Sequence, residues 1–409
     1  MSLSLAVPLT LPNGATLPNR LAKSALSEAM GTMDNRVTQA LVRLYQRWSA
    51  GGTGLLMTGN VMIDRRFLGE PGNVVIEDER DLPLLQEWAQ AGRNYDTAIW
   101  VQLNHPGKQS PKGLNRENIS PSAIPFKAEM QSFFATPREM TEAEILDTIA
   151  RFANASRIVK KAGFAGVQIH GAHGYLVSQF LSPRHNVRED GWGGTPEKRR
   201  RFVLELYAAI RKEVGADFPI GIKLNSADFQ RGGFTEEESL ATIKALADAG
   251  IDLIEISGGT YEAPAMTGAK ASTIEREAYF LSFAETVRQH ISTPLMVTGG
   301  FRTLAVMQAA LDSGALDLIG LGRPLAIEPD AANRLLAGEE MRYRVKPIKT
   351  GIGMVDRMAI MEVSWYTRQL HRMGNGKATK PNESGLWSFA ATVVANVRGT
   401  VKTRRMRAS

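Results

Sequence analysis

The sequence predicts an α/β fold, a closed (β/α)8 TIM barrel with an N-terminal hairpin and a C-terminal helical extension. Three observations carry that prediction. Eight short apolar runs recur along the first 321 residues. Amphipathic, charged segments of helical length separate them. Several runs end in Gly or a small polar residue just before the next helix begins. Apolar strands alternating with helices imply a parallel sheet covered on its outer face. Eight repeats imply closure rather than an open sheet.

The elements follow in order. Asn13-Gly14 between two apolar arms is a hairpin turn. The strand runs are 21–26, 54–58, 98–103, 166–169, 219–224, 252–256, 294–298 and 316–321. Helices are expected near 37–50, 80–92, 141–162, 196–213, 235–249, 277–291 and 303–313. The long insertion 104–139 should lie over one end. No GxGxxG follows a strand and no Walker loop is present, so a doubly wound sheet is the runner-up. Gly374-Asn-Gly-Lys is read as a turn.

The pattern changes near 340, which divides the chain into a barrel unit, 1–345, and an extension, 346–409. A helix near 354–373 holds Trp365 and Tyr366. A Gly/Pro/Asn-rich link follows. The last helix has apolar positions 386, 390, 393, 394, 397 and 401 at helical spacing. That stripe is expected to dock on the barrel or on a second subunit, with a membrane-surface helix as the alternative.

Composition sets limits. The chain has 409 residues and no cysteine, which removes disulfides, thiolate metal sites and cysteine nucleophiles together. That fits a reducing cytosol, and the expected location is cytoplasmic. No run of ~18 apolar residues spans a membrane, and the N-terminus lacks a signal-peptide pattern. Net charge is +7, and Arg398, Lys402, Arg404, Arg405 and Arg407 supply five of those charges. The positive character is therefore a tail property, which argues against nucleic acid as the partner of the fold itself. A small molecule is the expected partner. Oligomeric state stays open, a homo-oligomer included.

Catalytic groups of such barrels collect at the C-terminal ends of the strands. Strand one is followed by Ser24, Ala25, Leu26 and Ser27, and strand two by Asn60. Strand three ends in Gln102 and His105. Strand four presents His170, His173 and Tyr175. Strand five carries Lys223. Strands seven and eight end in Gly299-Gly300 and Gly322-Arg323. Glycines let backbone N–H groups approach a ligand, and an arginine adds a cationic fork. Loops after strands seven and eight are the usual phosphate site of these barrels. A buried lysine needs an anion or developing negative charge beside it. Gln102 both donates and accepts, which suits the edge of a heteroaromatic ring. The two histidines lack a third metal ligand at suitable spacing. They read instead as N–H donors to a substrate oxygen, with Tyr175 as a proton donor. Together these groups describe a phosphorylated aromatic cofactor, and FMN is the natural candidate. The rivals are a Schiff-base aldolase using Lys223 and a non-catalytic barrel serving as a binding module.

The residues also carry a resemblance. The segment His170-Gly-Ala-His-Gly-Tyr-Leu, with Phe180-Leu-Ser-Pro, Asn186, Gly193-Gly194, Glu197, Arg199 and Arg201-Phe202, resembles the old yellow enzyme family. This is the NADH:flavin oxidoreductase/NADH oxidase family of FMN-dependent ene-reductases. Asn19-Arg20, Gln102-Leu with His105 and Gly107, Arg276-Glu-Ala-Tyr, Thr298-Gly-Gly-Phe-Arg and Ile319-Gly-Leu-Gly-Arg-Pro follow the family's order. The resemblance covers roughly 5–340 and reaches the helix near 354–373.

It implies that Gln102 meets the flavin pyrimidine edge and that Lys223 lies near the flavin N1/C2 oxygen. Gly299, Gly300, Gly322 and Arg323 would hold the phosphate. Ser24, Ala25, Leu26, Ser27 and Asn60 complete the implied cofactor set. His170 and His173 would bind a carbonyl or nitro oxygen, and Tyr175 would protonate the α-carbon. NADH or NADPH would reduce the flavin first, in a ping-pong cycle. The chain departs from the family's pattern at Ser27, where Cys or Thr is usual, at Lys223, where Arg is common, and at Trp192, where Tyr is common. A serine hydroxyl can still donate to the flavin. The iron–sulfur cluster of larger relatives has no cysteines here to hold it.

Overall fold

The computed structural model describes residues 4–260, 262–263, 277–343, 345, 348 and 360–408. Eight parallel strands form the barrel: β1 Leu21–Lys23, β2 Leu55–Met57, β3 Ala98–Asn104, β4 Gly166–Gly171, β5 Ile220–Asn225, β6 Leu253–Ser257, β7 Leu295–Thr298 and β8 Leu318–Leu321. Each pairs with the next, and β8 pairs with β1, which closes the ring. All eight apolar runs of the sequence are these strands.

The outer helices are α1 Gln39–Ser49, α2 Leu82–Arg93, α3 Glu142–Lys161, α4 Leu176–Leu181, α5 Pro196–Val214, α6 Glu236–Asp248, α7 Leu281–Arg288, α8 Leu304–Asp312, α9 Arg323–Ile327 and α10 Ala331–Leu336. Threonines set the starts of four of them. Thr38, Thr141, Thr195 and Thr235 each accept a backbone N–H in the first turn, and Thr141 with Glu144 forms a capping box. Each main helix turns one apolar stripe to the sheet: α1 buries Leu41, Val42, Leu44, Tyr45 and Trp48.

The lower half of the barrel is filled with side chains. Leu9, Leu11 and Leu17 of the N-terminal hairpin pack with Ala22, Leu55, Met57, Trp100, Leu253, Met296 and Leu318. The hairpin arms, Leu9–Thr10 and Thr16–Leu17, pair antiparallel across the Asn13-Gly14 turn. Trp100 fits because its neighbours on β4 and β5 are glycines. A Cβ on Gly166 would lie 2.6 Å from the indole, and one on Gly221 would lie 2.9 Å from it. Filling the lower end leaves only the upper end able to take a ligand.

The insertion 104–139 carries a short parallel pair, Ile119–Ser120 with Arg138–Glu139. It covers the strand-end face through Gln109, whose Nε2 donates to the His173 carbonyl at 3.2 Å. Two further helices follow, α11 Ile360–Gly374 and α12 Gly385–Ala408. Part of the expected helix near 354–373 lies outside the described residues, and so does Arg276. Helix α11 packs on α1 and α9. Helix α12 does not dock on the barrel by its predicted stripe. It packs by a face of small residues: Gly385, Ser388 and Thr403 are buried, and Gly399 lies against Pro71. Leu386, Ala390, Val393, Val394, Val397 and Val401 face solvent. Small residues permit close approach, so they took the interface.

Candidate active site

Strand register brings the site together. His170 on β4 lies opposite Lys223 on β5, and Lys223 lies opposite Glu255 on β6. Gln168 lies opposite Gln102 on β3. Side chains alternate along a strand, so Gln168 and His170 share the inner face. One open cavity at the strand ends is lined by Ser24, Ala25, Leu26, Ser27, Asn60, Gln102, His170, His173, Tyr175, Lys223, Gly299, Gly300, Gly322 and Arg323. The structure thus gathers every predicted site residue around one space.

The turn after β4 is tightly held. His173 has a left-handed φ of 61°, a conformation that costs energy outside glycine. Its N–H donates to Asn225 Oδ1 at 3.2 Å, and Gln109 holds its carbonyl. Gly174 follows with φ 79°, and its carbonyl accepts from Gln179 Nε2 at 2.7 Å. Tyr175 then caps α4. This geometry clusters three rings: His170 and His173 centroids are 5.3 Å apart, and His170 and Tyr175 centroids 4.7 Å apart.

Hydrogen bonds and burial set the proton positions. The His170 Nδ1 accepts the Ala172 N–H at 3.3 Å, so the proton of the neutral ring is on Nε2. His173 Nε2 pairs with Ser257 Oγ at 2.8 Å. Desolvation, with Lys223 nearby, pushes His173 down to about 3. Desolvation holds His170 far below the usual imidazole range, with His173 and Lys223 adding to the effect. Both rings are neutral near pH 7 and act as N–H donors rather than cations. The Tyr175 hydroxyl accepts from Asn60 Nδ2 at 3.3 Å, and Asn60 Oδ1 accepts from Asn104.

Sequence reasoning missed the partners of the cations. Lys223 Nζ is 2.9 Å from Glu255 Oε1, and both side chains are almost fully buried. Glu255 also accepts from Gln168 Nε2 at 2.7 Å and from Thr298 Oγ1 at 2.6 Å. Gln168 in turn accepts from Gln102 Nε2 at 2.8 Å. A second buried lysine, Lys23, donates to the Met57 carbonyl at 2.8 Å and lies 3.7 Å from Glu28. Burial lowers it to about 8. Arg323 Nη1 is 2.8 Å from Glu362 Oε2 of α11. Tyr366, also from α11, lines the cavity and accepts the Ser27 N–H. The Ser27 hydroxyl is hydrogen-bonded to Glu70. Desolvation raises the Glu70 carboxyl, and Glu28 adds to the rise. A signal existed for Glu255 and Gln168: each is a polar residue inside an apolar strand run. None existed for Glu362, which comes from a distant helix.

The cavity therefore carries two sets of groups: Gly299, Gly300, Gly322 and Arg323 follow β7 and β8, and His170, His173 and Tyr175 come from β4 and the turn after it. Lys223 and Gln102 also line the cavity. Among the described residues, no group of His, Cys, Asp and Glu is arranged to hold a metal ion.

Residues 4–341 match the model of the NADH:flavin oxidoreductase / NADH oxidase family. The chain belongs to this family. It is a flavin oxidoreductase that uses FMN and NAD(P)H. It is 40% identical over 354 residues to the NADH-dependent flavin oxidoreductase iccE of Talaromyces variabilis, spanning 80% of this chain and 85% of that protein. It is 36% identical over 366 residues to the NADH-dependent flavin oxidoreductase iliE of Hypocrea jecorina, spanning 83% of this chain and 90% of that one. Among solved structures, a 2-naphthoyl-CoA reductase complex superposes with a TM-score of 0.78 at 26% identity. That match covers 91% of this chain but 57% of the reductase, so the chain spans just over half that protein. The site fits the family's cofactor. The donor set offers glycine amides and a guanidinium for a phosphate, and a glutamine and a lysine for a polar ring edge. Family membership selects flavin chemistry over the Schiff-base reading of Lys223.

Proposed function

We propose that this oxidoreductase reduces the activated C=C of an α,β-unsaturated carbonyl or nitro compound. The observation that carries the reading is the trio that lines the cavity, two neutral imidazoles and a phenol clustered together. The chemistry FMN supplies when bound is two-electron hydride transfer, from NAD(P)H and then onto the substrate's β-carbon.

The chain's own residues do the rest. Gln102 and Lys223 would hold the pyrimidine edge, with Ser24, Ala25, Leu26, Ser27 and Asn60 along the same wall. Gly299, Gly300, Gly322 and Arg323 would hold the phosphate. His170 Nε2–H and an N–H of His173 would grip the substrate oxygen. Negative charge grows on that oxygen as the β-carbon accepts hydride, so the donors stabilise the transition state more than the ground state. Neutral rings suit the task, because a donor that keeps its proton stays an electrostatic stabiliser. Tyr175 would pass its hydroxyl proton to the α-carbon, completing addition of one hydride and one proton across the double bond. Asn60, donating to the phenol oxygen, would hold the phenol in place and ease the negative charge left there. NADH, named in the relatives, or NADPH would be the reductant.

Anaerobic stopped-flow separates the two halves. NAD(P)H should bleach the yellow protein, and an enone should restore the colour. Tyr175→Phe should slow the second step about 10²–10⁴-fold and leave the first nearly unchanged. Equal loss in both steps would remove Tyr175 as proton donor. A protein that takes up no FMN would overturn the whole reading.

A further inference from the structure

Helix α12 turns its apolar side to solvent. Leu386, Trp387, Val393, Val394, Val397 and Val401 are 38–60% exposed. Among the described residues they are six of fourteen exposed large hydrophobics, gathered on one helix. At 100° per residue they fall within an arc of about 120°. Exposed apolar residues scattered singly are ordinary, but a contiguous stripe marks an interaction surface. Arg398 and Lys402 are exposed on one side of the same arc, about 20° and 60° beyond its edge. From 384 to the end the sequence contains five basic residues and no acid. The stripe lies beyond 341, where the family match ends, so the family's chemistry does not account for it.

We infer that α12 is a docking surface for an anionic lipid bilayer, lying in the plane of the interface. The combination of features chooses the occupant. An aliphatic arc flanked by cations matches acyl chains beside anionic headgroups. A second copy of the chain fits less well. Two α12 helices laid together would each bring cations and no acid, so desolvated positive charge would find no partner. A nucleic acid would use the cations and leave the aliphatic arc in water. The helix is also well placed for a membrane-facing enzyme. It packs on α11, whose Val363 and Tyr366 line the catalytic cavity. It also packs on Pro71, next to Glu70, the partner of Ser27. An apolar substrate dissolved in the bilayer would therefore be held near the cavity.

The test uses the full-length, FMN-loaded protein in vesicle flotation. Phosphatidylcholine vesicles containing phosphatidylglycerol should carry the protein up the gradient at low salt and release it at high salt. Phosphatidylcholine alone should carry far less. The pair Val393→Glu and Val397→Glu should abolish flotation while turnover of a water-soluble enone is unchanged. The pair Arg398→Gln and Lys402→Gln should weaken it about 25-fold, from roughly fivefold per charge. No flotation on either vesicle overturns the proposal, as does flotation that survives the Val→Glu pair. A wild-type dimer in light scattering that becomes a monomer on Val→Glu substitution assigns the face to a second copy instead. Tight binding to single-stranded DNA that ignores the Val→Glu pair assigns the cations to nucleic acid.

Discussion

Acidification should destabilise the fold through histidines that stay neutral when folded, and His105 offers the cleanest measurement. It sits at the end of β3 and is 2% exposed. Its Nδ1 accepts the Gly107 N–H at 3.1 Å, and its ring lies 4.8 Å from Phe67. Desolvation lowers it from 6.5 to about 4. Above pH 6.5 the ring is neutral in both folded and unfolded chains, so it has no effect on stability. Below 6.5 the unfolded chain takes up a proton that the folded chain refuses. Stability therefore falls as pH drops from 6.5 toward 4, and the loss levels off once the folded ring also charges. Between pH 7 and 5 the two populations differ by about 2 kcal/mol, at ~1.4 kcal/mol per unit of pKa difference. Glu28 and Glu70, raised by burial, act in the opposite sense and are common to wild type and variant. The comparison is His105→Gln, which keeps an acceptor for Gly107. Urea denaturation at fixed excess FMN, at pH 7 and pH 5, gives both stabilities. The variant should lose about 2 kcal/mol less than wild type between those values. Equal losses would mean that His105 titrates normally in the folded protein, and the burial argument would fail.

Two charge pairs yield further predictions. Lys223→Gln and Glu255→Gln should each cost about 3–5 kcal/mol, because each strands a buried charge. The double variant should cost clearly less than their sum, and additive losses in chemical denaturation would refute a direct pair. Glu362→Gln should tighten FMN binding roughly 3- to 10-fold by removing ~1 kcal/mol of repulsion beside Arg323. Flavin fluorescence titration reads this, and weaker binding would show that Glu362 orients Arg323 rather than competing with a phosphate.

The barrel was legible because each strand is buried on both faces. Such strands read as unbroken apolar runs, and the eight runs recur at βα spacing. The site was legible for a related reason. At the strand ends of this fold, Gly, His, Lys and Gln are not explained by packing alone. Closure of the ring then brings residues as distant as Ser24 and Arg323 to one cavity. What could not be read was pairing across elements. Glu255 is an acid inside an apolar run, and only register places it opposite Lys223. Glu362 and Tyr366 reach the cavity from α11, whose helical period reports its packing face and not its neighbours. The expectation that the stripe of α12 docks on the barrel went astray in a definite way. An apolar stripe was taken for the docking face, whereas Gly385, Ser388 and Gly399 permitted closer contact on the other side.

These pairings change how the cavity handles charge. Lys223, Lys23 and Arg323 each have a carboxylate of the chain nearby: Glu255, Glu28 and Glu362. The two site histidines are uncharged. No side chain lining the cavity from β4 or β5 therefore presents an uncompensated full charge. Under the proposed function, the phosphate would be held by the glycine amides after β7 and β8 beside a charge-paired Arg323, and a substrate oxygen would be activated by neutral N–H donors. Dipoles of this kind, fixed by register and by a strained turn, need little reorganisation when charge develops on a reacting atom. The strained φ of His173 fits the same proposal. The left-handed turn sets a second ring 5.3 Å from His170, and Asn225 and Gln109 hold that turn by its backbone. Under the proposed function, backbone strain at this position is the cost of aiming two neutral donors at one oxygen.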